Sequence, residues 1–343
     1  MADELRRGRP AGASAPLDKQ VVDRARTALA LLSARSRPSL SRLVGRLDFP
    51  LRAPTVPLGV EPPPSTRKVG GDYETEWARR PAARAARAAL LEGVTRPAMR
   101  AVADPEVRGL DRLLHVDGPV IFAANHHSHL DTAILLSALP SRFRHKAFVV
   151  AAADYFFANR ATSAASALAL NAIPFERVKI GRRSADQAAE LLGDGWNMVI
   201  FPEGGRSPDG WGQEFKPGAA YLAQRCDVAV VPVHLLGVDR LLPKGATRLK
   251  RGQTVVTFGA PLELADGEDS RRFSVRIEAA VAALGDEART DWWTARRRAH
   301  DSSTPAMAGP ATSSWRRAWE LGDRTPLGRP ADRAPSRTWP DLD

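Results

Sequence analysis

The sequence predicts an α/β fold: a mostly parallel central sheet flanked by helices, with a helical N-terminal part and irregular termini. Three observations support this. From Gly118 onward, short apolar runs alternate with segments of helical spacing. A hydrophobic fraction of 43% in 343 residues is enough for a large packed core. Polar motifs directly follow two of the apolar runs, and sites assemble at the carboxyl ends of strands in such sheets.

Each element follows from its local pattern. Apolar runs bounded by turn residues predict strands at 119–124, 146–151, 172–176, 197–201, 228–234 and 254–258. Apolar spacing of three and four predicts helices at 131–139, 159–170, 184–193, 217–225 and 270–284. Residues 73–114 also have helical spacing, which Pro97 and Pro105 are expected to break. Pro232 predicts that its strand lies at an edge or bends.

Composition divides the chain into four parts. Residues 1–70 form a basic, Pro/Arg-rich arm, 71–117 a helical lead-in, 118–285 the domain that carries the motifs, and 286–343 a Trp/Arg/Pro-rich tail. The helical spacing at 18–35 fits either a helix on an anionic membrane or an arm with only transient structure. The tail fits either a membrane–water interface or a segment that wraps the domain and buries its tryptophans.

The formal net charge of +11 indicates an anionic partner: phospholipid head groups, a phosphorylated substrate or nucleic acid. A bias of the composition towards arginine is an alternative explanation of the same net charge. The single cysteine, Cys226, excludes an intramolecular disulfide and a cysteine-rich metal site. Residues 1–16 carry charge, proline and glycine but no apolar core segment, so we do not expect them to be a signal peptide, and no apolar run reaches about 18 residues. We therefore expect a cytoplasmic protein, peripheral at the inner face of the cell membrane.

The first motif, Asn125-His126-His127-Ser128-His129-Leu130-Asp131, follows the apolar run 119–124. A histidine at the end of a strand and a carboxylate about one helical turn later can meet. The carboxylate then holds one ring nitrogen and leaves the other free to take a proton. This predicts a general base. Asn125 is expected to fix the loop by side-chain hydrogen bonds, and Ser128 to cap the next helix rather than act as a nucleophile.

The second motif, Phe201-Pro202-Glu203-Gly204-Gly205-Arg206-Ser207, also follows an apolar run. Its glycines allow a close approach of the backbone to a ligand, and Arg206 offers a planar fork suited to phosphate, or to an ordinary salt bridge. Further cations lie at the ends of other elements and indicate either an anion site or a solvated basic loop. They are Arg177, Lys179, Arg182, Arg183 and Lys216.

The order of the motifs resembles the four blocks of the glycerolipid acyltransferase family, best known for the 1-acylglycerol-3-phosphate acyltransferases. The blocks are Asn-His-x-Ser-x-x-Asp at 125–131, Phe-x-Arg at 175–177, Phe-Pro-Glu-Gly-x-Arg-Ser at 201–207 and Val-Pro-Val at 231–233. The resemblance covers about residues 95–285. It implies a glycerol-phosphate acyltransferase-like fold and transfer of an acyl group to a glycerol hydroxyl. The donor would be acyl-CoA or acyl-carrier protein, with no other cofactor and no metal. With a lysophosphatidic acid acceptor the product would be phosphatidic acid.

The resemblance also implies roles for residues. His126 would be the base and Asp131 its orienting partner. Arg177, Glu203, Gly204 and Arg206 would bind or shape the acceptor, Pro232 would form part of the wall, and Asn125, Ser128, Gly205, Ser207 and Lys216 would support the site. The chain departs from the family at two positions, with Gly205 where Thr is common and Asn171 where Gly is common. The missing Thr hydroxyl bears on the identity of the acceptor.

Three alternatives remain at this stage. The acceptor can be another lysophospholipid, glycerol-3-phosphate or a lipid hydroxyl. The spacing of His127, His129 and Asp131 resembles a binuclear metallohydrolase motif, although Thr132 stands where a further histidine is needed. A non-catalytic basic protein that binds membrane or nucleic acid also fits the charge, but no pattern predicts specific nucleic-acid recognition or a partner protein.

Overall fold

The computed structural model describes residues 70, 73–175, 182–207, 211–243, 246 and 248–308. The arm predicted for residues 1–70 lies outside the described residues except for its last residue, and so does the tail beyond Ala308. The predicted helix at 18–35 is among the residues left out.

Within the described residues, one seven-stranded sheet has the order β1-β7-β6-β2-β5-β3-β4. The strands are β1 Pro105–Arg108, β2 Ile121–Ala124, β3 Ala147–Ala152, β4 Ala172–Phe175, β5 Asn197–Ile200, β6 Val230–Leu236 and β7 Thr254–Phe258. Every neighbouring pair is parallel except β6 and β7, which are antiparallel. The predicted mostly parallel sheet is confirmed.

The α-helices that join and cover these strands are α1 Pro81–Leu90, α2 Arg96–Ala103, α3 Asp131–Ala138, α4 Ser141–Arg144, α5 Ala153–Phe156, α6 Arg160–Leu170, α7 Arg182–Gly193, α8 Gly218–Cys226, α9 Val238–Leu241, α10 Ser270–Arg289 and α11 Trp292–His300. They include all five helices that the spacing predicted, namely α3, α6, α7, α8 and α10. Helix α10 runs to Arg289, beyond the predicted end at 284, and α11 follows at once. None of the described helices has the length and apolar character needed to cross a bilayer.

One expectation about a proline was wrong, and of the two alternatives for Pro232 the structure excludes one. Pro97 does not break the helical lead-in, because a π-helical turn at Leu91–Thr95 joins α1 to α2 and Pro97 lies in the first turn of α2. Pro232 does not mark an edge, since β6 lies between β7 and β2. It lies where the ladder with β7 ends: the N–H of Gly259 donates to its carbonyl at 2.8 Å. The expected break at Pro105 is confirmed, but a short edge strand, β1, begins there and was not predicted.

Strand β2 lies in the middle of the sheet and is buried on both faces. Phe122 and Ala124 pack into the core on one side, and Ile121 and Ala123 into the core on the other. All four side chains are fully buried. A strand so enclosed gives a fixed starting point for the loop that follows it, and this loop carries the first motif.

Candidate active site

The two motifs lie side by side because β2 and β5 are neighbours in the sheet. The strands are parallel, with Ala123 opposite Ile200, so both end at the same edge. The loop after β2 begins at Asn125 and the loop after β5 begins at Phe201. This edge is where ligands bind in open α/β sheets.

The structure brings His126 and Asp131 together. Nδ1 of His126 lies 2.8 Å from Oδ2 of Asp131. The Asp131 side chain is fully buried, whereas the His126 side chain keeps 18% of its surface exposed. Asp131 is the first residue of α3, and the backbone N–H groups of His127 and Ser128 also donate to its Oδ2, at 2.6 and 2.8 Å.

These contacts decide which ring nitrogen of His126 can act as a base. Oδ2 of Asp131 already accepts two backbone N–H groups, so the carboxylate is the acceptor and Nδ1 of His126 is the donor. Nε2 is then the unprotonated nitrogen. The ring of Phe201 stacks on the imidazole, with centroids 4.3 Å apart and planes at 21°, and limits its rotation. His126 is held in one tautomer and one orientation, as a general base requires.

Glu203 lies beneath the site and ties its two loops together. Its Oε1 accepts the backbone N–H of His126 at 2.8 Å, and its Oε2 accepts that of Gln213 at 2.9 Å. The residue is 3% exposed and is not among those that line the cleft. Burial raises the pKa of Glu203 to about 8, although the two N–H groups favour the charged form. Glu203 therefore acts on the site by positioning the backbone of His126.

Asn125 and Ser128, the two residues expected to support the first motif, make different contacts. The side chain of Asn125 pairs with the backbone of Leu235 on β6: Nδ2 donates to its carbonyl at 2.9 Å and Oδ1 accepts its N–H at 2.7 Å. This is the loop-fixing role expected for it. The prediction that Ser128 caps α3 was wrong, because Leu130 is the N-cap residue. Instead, Oγ of Ser128 donates to the carbonyl of Leu242 at 2.9 Å and fastens the loop to the end of α9.

A cleft of about 340 Å³ opens beside His126. One part of its wall is apolar and another carries polar and cationic groups. The lining residues are His126, His129, Thr132, Val149, Val150, Ala151, Ala152, Asp154, Tyr155, Phe156, Leu170, Phe175, Ile200, Phe201, Pro202, Gly204, Gly205, Arg206, Lys216, Gly218 and Ala219. Such a cleft suits a ligand with an apolar chain and an anionic group. Of the helix predicted at 159–170, only Leu170 lines it.

The cationic part of the cleft is built around Gly204. This glycine has φ +73°, and Lys216 folds over it: a Cβ atom at Gly204 would lie 2.7 Å from Nζ of Lys216. The backbone N–H of Lys216 donates to the carbonyl of Pro202 at 3.0 Å. Arg206 lines the same cleft. The positive φ of Gly204 favours glycine at this position, and the absence of a side chain leaves room for the lysine.

We expect Gly204→Ala to weaken ligand binding in the cleft, because an added Cβ would lie 2.7 Å from Nζ of Lys216 and the end of this lysine must move aside. Gly267→Ala is the control: Gly267 has φ +72° and no atom within 4 Å of an added Cβ, so its variant carries only a backbone strain of about 1 kcal/mol. The two variants should lose similar stability, since both place a side chain at positive φ and a flexible lysine shifts at little cost. Chemical denaturation and the KM for the substrate proposed below measure the two effects. An unchanged KM in Gly204→Ala would contradict this account.

The remaining predicted residues are placed as follows. Arg177 lies outside the described residues, so its approach to the cleft stays a prediction. Gly205 lines the cleft, and its carbonyl accepts Nε2 of Gln213 at 3.3 Å. The N–H of buried Ser207 donates to the carbonyl of His126 at 2.8 Å. Pro232 is buried in the sheet and is not among the residues that line the cleft.

Sequence reasoning missed several contributors. Gln213 holds both Glu203 and Gly205, but a glutamine in a loop gives no signal of this. His129 stacks on Tyr155, with ring centroids 4.9 Å apart, at the rim of the cleft. Asn171 is explained by backbone conformation: it ends α6 at φ +50°, where glycine is favoured and asparagine is tolerated, and its side chain donates to the carbonyl of Ala147.

Two histidines near His126 have lowered pKa values: His127 of the first motif and His234. Burial lowers the pKa of His127, and it lowers that of His234 on β6 to about 3, with a further lowering from the charge of Arg289 in α10. A Cβ atom at Gly285, also in α10, would lie 2.8 Å from Nε2 of His234. The carboxyl end of α10 therefore reaches the edge of the sheet that carries His126.

The residues of the alternative metal motif diverge. Asp131 binds His126, His127 is part-buried near His234, and His129 stacks on Tyr155. Among the residues that the structure describes, no group of three or more His, Cys, Asp or Glu side chains is placed to hold a metal ion.

Comparison with known proteins gives a match for the part of the chain that carries both motifs. Residues 104–236 match the model of the Acyltransferase family. The matched residues include the His126–Asp131 pair, the Glu203 anchor and strand β6.

The individual relatives carry more specific names than the family model does. A chloroplastic 1-acyl-sn-glycerol-3-phosphate acyltransferase of Arabidopsis thaliana is 32% identical over 160 residues, 46% of this chain and 43% of that protein. One of Brassica napus is 30% identical over 164 residues, 46% of this chain and 44% of that protein. The chain thus spans less than half the length of these curated relatives. The crystal structure of the 1-acyl-sn-glycerophosphate acyltransferase from Thermotoga maritima has a TM-score of 0.49 at 23% identity, over 62% of this chain and 86% of that chain.

Proposed function

We propose that this protein transfers a fatty acyl group from a thioester, acyl-CoA or acyl-carrier protein, to the hydroxyl of a lysophosphatidic acid-like glycerol phosphate. One observation carries the proposal: Nε2 of an oriented histidine is available at a cleft with an apolar wall and a cationic part. The relatives named 1-acyl-sn-glycerol-3-phosphate acyltransferases support the choice of acceptor. The product would be phosphatidic acid, an intermediate of phospholipid synthesis.

The chemistry follows from the contacts of His126. Nε2 takes the proton of the acceptor hydroxyl as the oxygen attacks the thioester carbonyl. Asp131 stabilises the imidazolium that forms, since its carboxylate is fixed on Nδ1 at 2.8 Å. The C–O bond forms, the C–S bond breaks, and the thiolate leaves with the proton returned by His126. Ser128 donates its hydroxyl to the carbonyl of Leu242, so the structure supports direct transfer without a covalent acyl-enzyme.

Different residues of the cleft suit the two parts of the acceptor, its phosphate and its acyl chain. Arg206 and Lys216 are suited to the phosphate, because a guanidinium and an ammonium both give charge-assisted hydrogen bonds to phosphate oxygens. The apolar residues of β3, β4 and β5 that line the cleft suit the acyl chains. Arg177 is proposed as a further phosphate ligand on the strength of the family motif alone.

The decisive experiment incubates purified protein with acyl-CoA and lysophosphatidic acid and follows release of free thiol. Acyl transfer is expected with this acceptor, and loss of it in His126→Ala shows that the release is enzymatic. A panel of glycerol-3-phosphate, other lysophospholipids and a neutral lipid alcohol ranks the acceptors. Acyl-carrier protein in place of CoA ranks the donors. Transfer to none of these acceptors from either donor would overturn the proposal.

We expect Arg206→Ala and Arg177→Ala to raise the KM for a phosphorylated acceptor about tenfold or more, because each removes a charge-assisted hydrogen bond worth about 1.5–3 kcal/mol. The effect on kcat should be smaller. Arg272→Ala, at the far end of α10, is a control with the same change of charge. If both variants kept the acceptor KM of the unaltered protein, the phosphate assignment would be wrong.

A membrane surface is part of the same proposal, because lysophospholipids and phosphatidic acid reside in bilayers. The net charge of +11 supports an anionic surface as the partner. We propose that the protein works as a peripheral protein at the inner face of the cell membrane. A non-catalytic basic binder remains as the second candidate, favoured by that charge, and the thiol-release assay separates the two.

A further inference from the structure

Helix α11 exposes a pair of tryptophans beside a run of arginines. Trp292 and Trp293 keep 49% and 68% of their surface exposed, and their ring centroids are 6.0 Å apart. The guanidinium of Arg296 lies 5.7 Å from the ring centroid of Trp292. The single buried residue of α11 is Ala295. Tryptophan is usually well covered in folded proteins, so an adjacent exposed pair indicates a surface that meets a partner.

The charge of α11 restricts the chemistry of that partner. The helix sequence, Trp-Trp-Thr-Ala-Arg-Arg-Arg-Ala-His, contains no carboxylate, and its N-cap residue, Asp291, supplies one negative charge near Arg297. Arg298 is paired with buried Asp286 at 2.7 Å, and Arg296 and Arg297 are exposed. Each of these two lies four positions after a tryptophan and therefore on the same side of the helix. The surface, defined here as the Trp–Arg face, is formed by Trp292, Trp293, Arg296 and Arg297.

The segments on either side of helix α11 contact elements that carry the site. Helix α11 begins just after α10, whose carboxyl end packs on His234 and places the charge of Arg289 near His127. The chain after α11 returns to the second motif: the N–H of Gly212 donates to the carbonyl of Met307 at 2.9 Å. The next residue, Gln213, donates to Glu203. Both ends of α11 are thus tied to the site.

We propose that the Trp–Arg face binds the surface of an anionic phospholipid bilayer and holds the cleft over its lipids. Indole rings favour the level of the head groups, and arginine places its stem along apolar groups while its guanidinium contacts phosphate. The face is small for a protein partner: two tryptophans offer at most about 500 Å², whereas a stable interface takes about 800 Å² from each side. A fluid bilayer needs no larger matched surface.

This inference rests on the proposed function, since the lipid acceptor is the reason to approach a bilayer, but its test needs no catalysis. The full chain is sedimented with vesicles of phosphatidylcholine alone and with about one third phosphatidylglycerol. Binding is expected on the anionic vesicles. It should fall about tenfold or more in Arg296→Gln/Arg297→Gln, because each arginine near such a surface contributes on the order of a factor of five. Trp292→Ser/Trp293→Ser should weaken binding to a similar degree.

Matched controls lie at the other end of α10. Arg271→Gln/Arg272→Gln removes the same charge, and Val275→Ser removes an apolar side chain that is 67% exposed. Both controls should bind vesicles like the unaltered protein. If the tryptophan variant fails to fold, the arginine variant still decides the matter. Unchanged binding in the arginine variant, an equal loss in its control, or binding to acyl-carrier protein in place of vesicles would each overturn the proposal.

A kinetic comparison separates this inference from the proposed function. With a short-chain acceptor dissolved as monomers, the Trp–Arg face variants should react like the unaltered protein. With the acceptor embedded in anionic vesicles they should be slower by the same factor as their loss of binding. Vesicle binding without acyl transfer to any acceptor would remove the proposed function and leave the docking surface standing. Acyl transfer that does not depend on the Trp–Arg face would remove the docking surface and leave the proposed function standing.

Discussion

His126→Ala will reduce acyl transfer by about 10²–10⁴-fold while the protein remains folded, because general-base catalysis has this magnitude. Nε2 of His126 is the nitrogen left to take a proton, since Nδ1 donates to Asp131. The side chain is part-exposed, so its removal leaves no large cavity. The measurement is thiol release under single-turnover conditions, with thermal unfolding as the check on folding.

The matched control is His115→Ala, which removes an exposed histidine outside the cleft. It should have the activity of the unaltered protein. Asp131→Asn refines the assignment: the amide keeps the shape of the side chain but gives poorer support to the imidazolium, so activity should fall mainly in kcat. Near-normal turnover in His126→Ala would remove the histidine from the mechanism and leave the cleft as a binding site only.

The second large effect concerns stability. Between pH 4.5 and about 8, folded Glu203 holds a proton that it has lost in the unfolded chain, because burial raises its pKa from 4.5 to about 8. The free energy of unfolding should therefore fall as the pH rises through this window, by an amount on the order of 5 kcal/mol. Below pH 4.5 both states are protonated and the effect of this group is constant. Glu203→Gln should abolish this contribution.

The experiment is urea unfolding of both proteins from pH 5 to pH 8.5, with the difference in free energy plotted against pH. Other titrating groups cancel in the difference; among them are His127 and His234, whose lowered pKa values act in the opposite direction. At pH 5 the variant should be less stable by an offset that does not depend on pH, since the amide nitrogen cannot accept the second backbone N–H. The change of the difference with pH, and not this offset, reports the titration of Glu203.

A control for this pH experiment is Glu263→Gln, which makes the same change of charge at an exposed position. Its difference curve should be flat. The Glu203→Gln variant should also lose activity, because an amide offers one acceptor oxygen where two N–H groups need partners. A flat difference curve for Glu203→Gln would mean that the carboxylate stays charged in the fold throughout this range.

The sequence predicted the fold well where the patterns are strong. Strands such as β2 and β3 are uninterrupted apolar runs, and helices such as α3 and α8 begin next to turn residues, so local rules suffice. The edge strand β1 escaped notice because it is short and starts with proline. The π-helical turn before Pro97 escaped notice because nothing in its sequence distinguishes it from an α-helix.

The sequence by itself determined that His126 and Asp131 pair, because they are five positions apart and meet through the geometry of one loop and one helix. The tertiary structure alone decided that Glu203 is a buried anchor and that Phe201 stacks on the imidazole. Glu203 and His126 are 77 residues apart. They meet because β2 pairs with β5, and the order of strands in a sheet is set by the packing of the whole core, which no local pattern records.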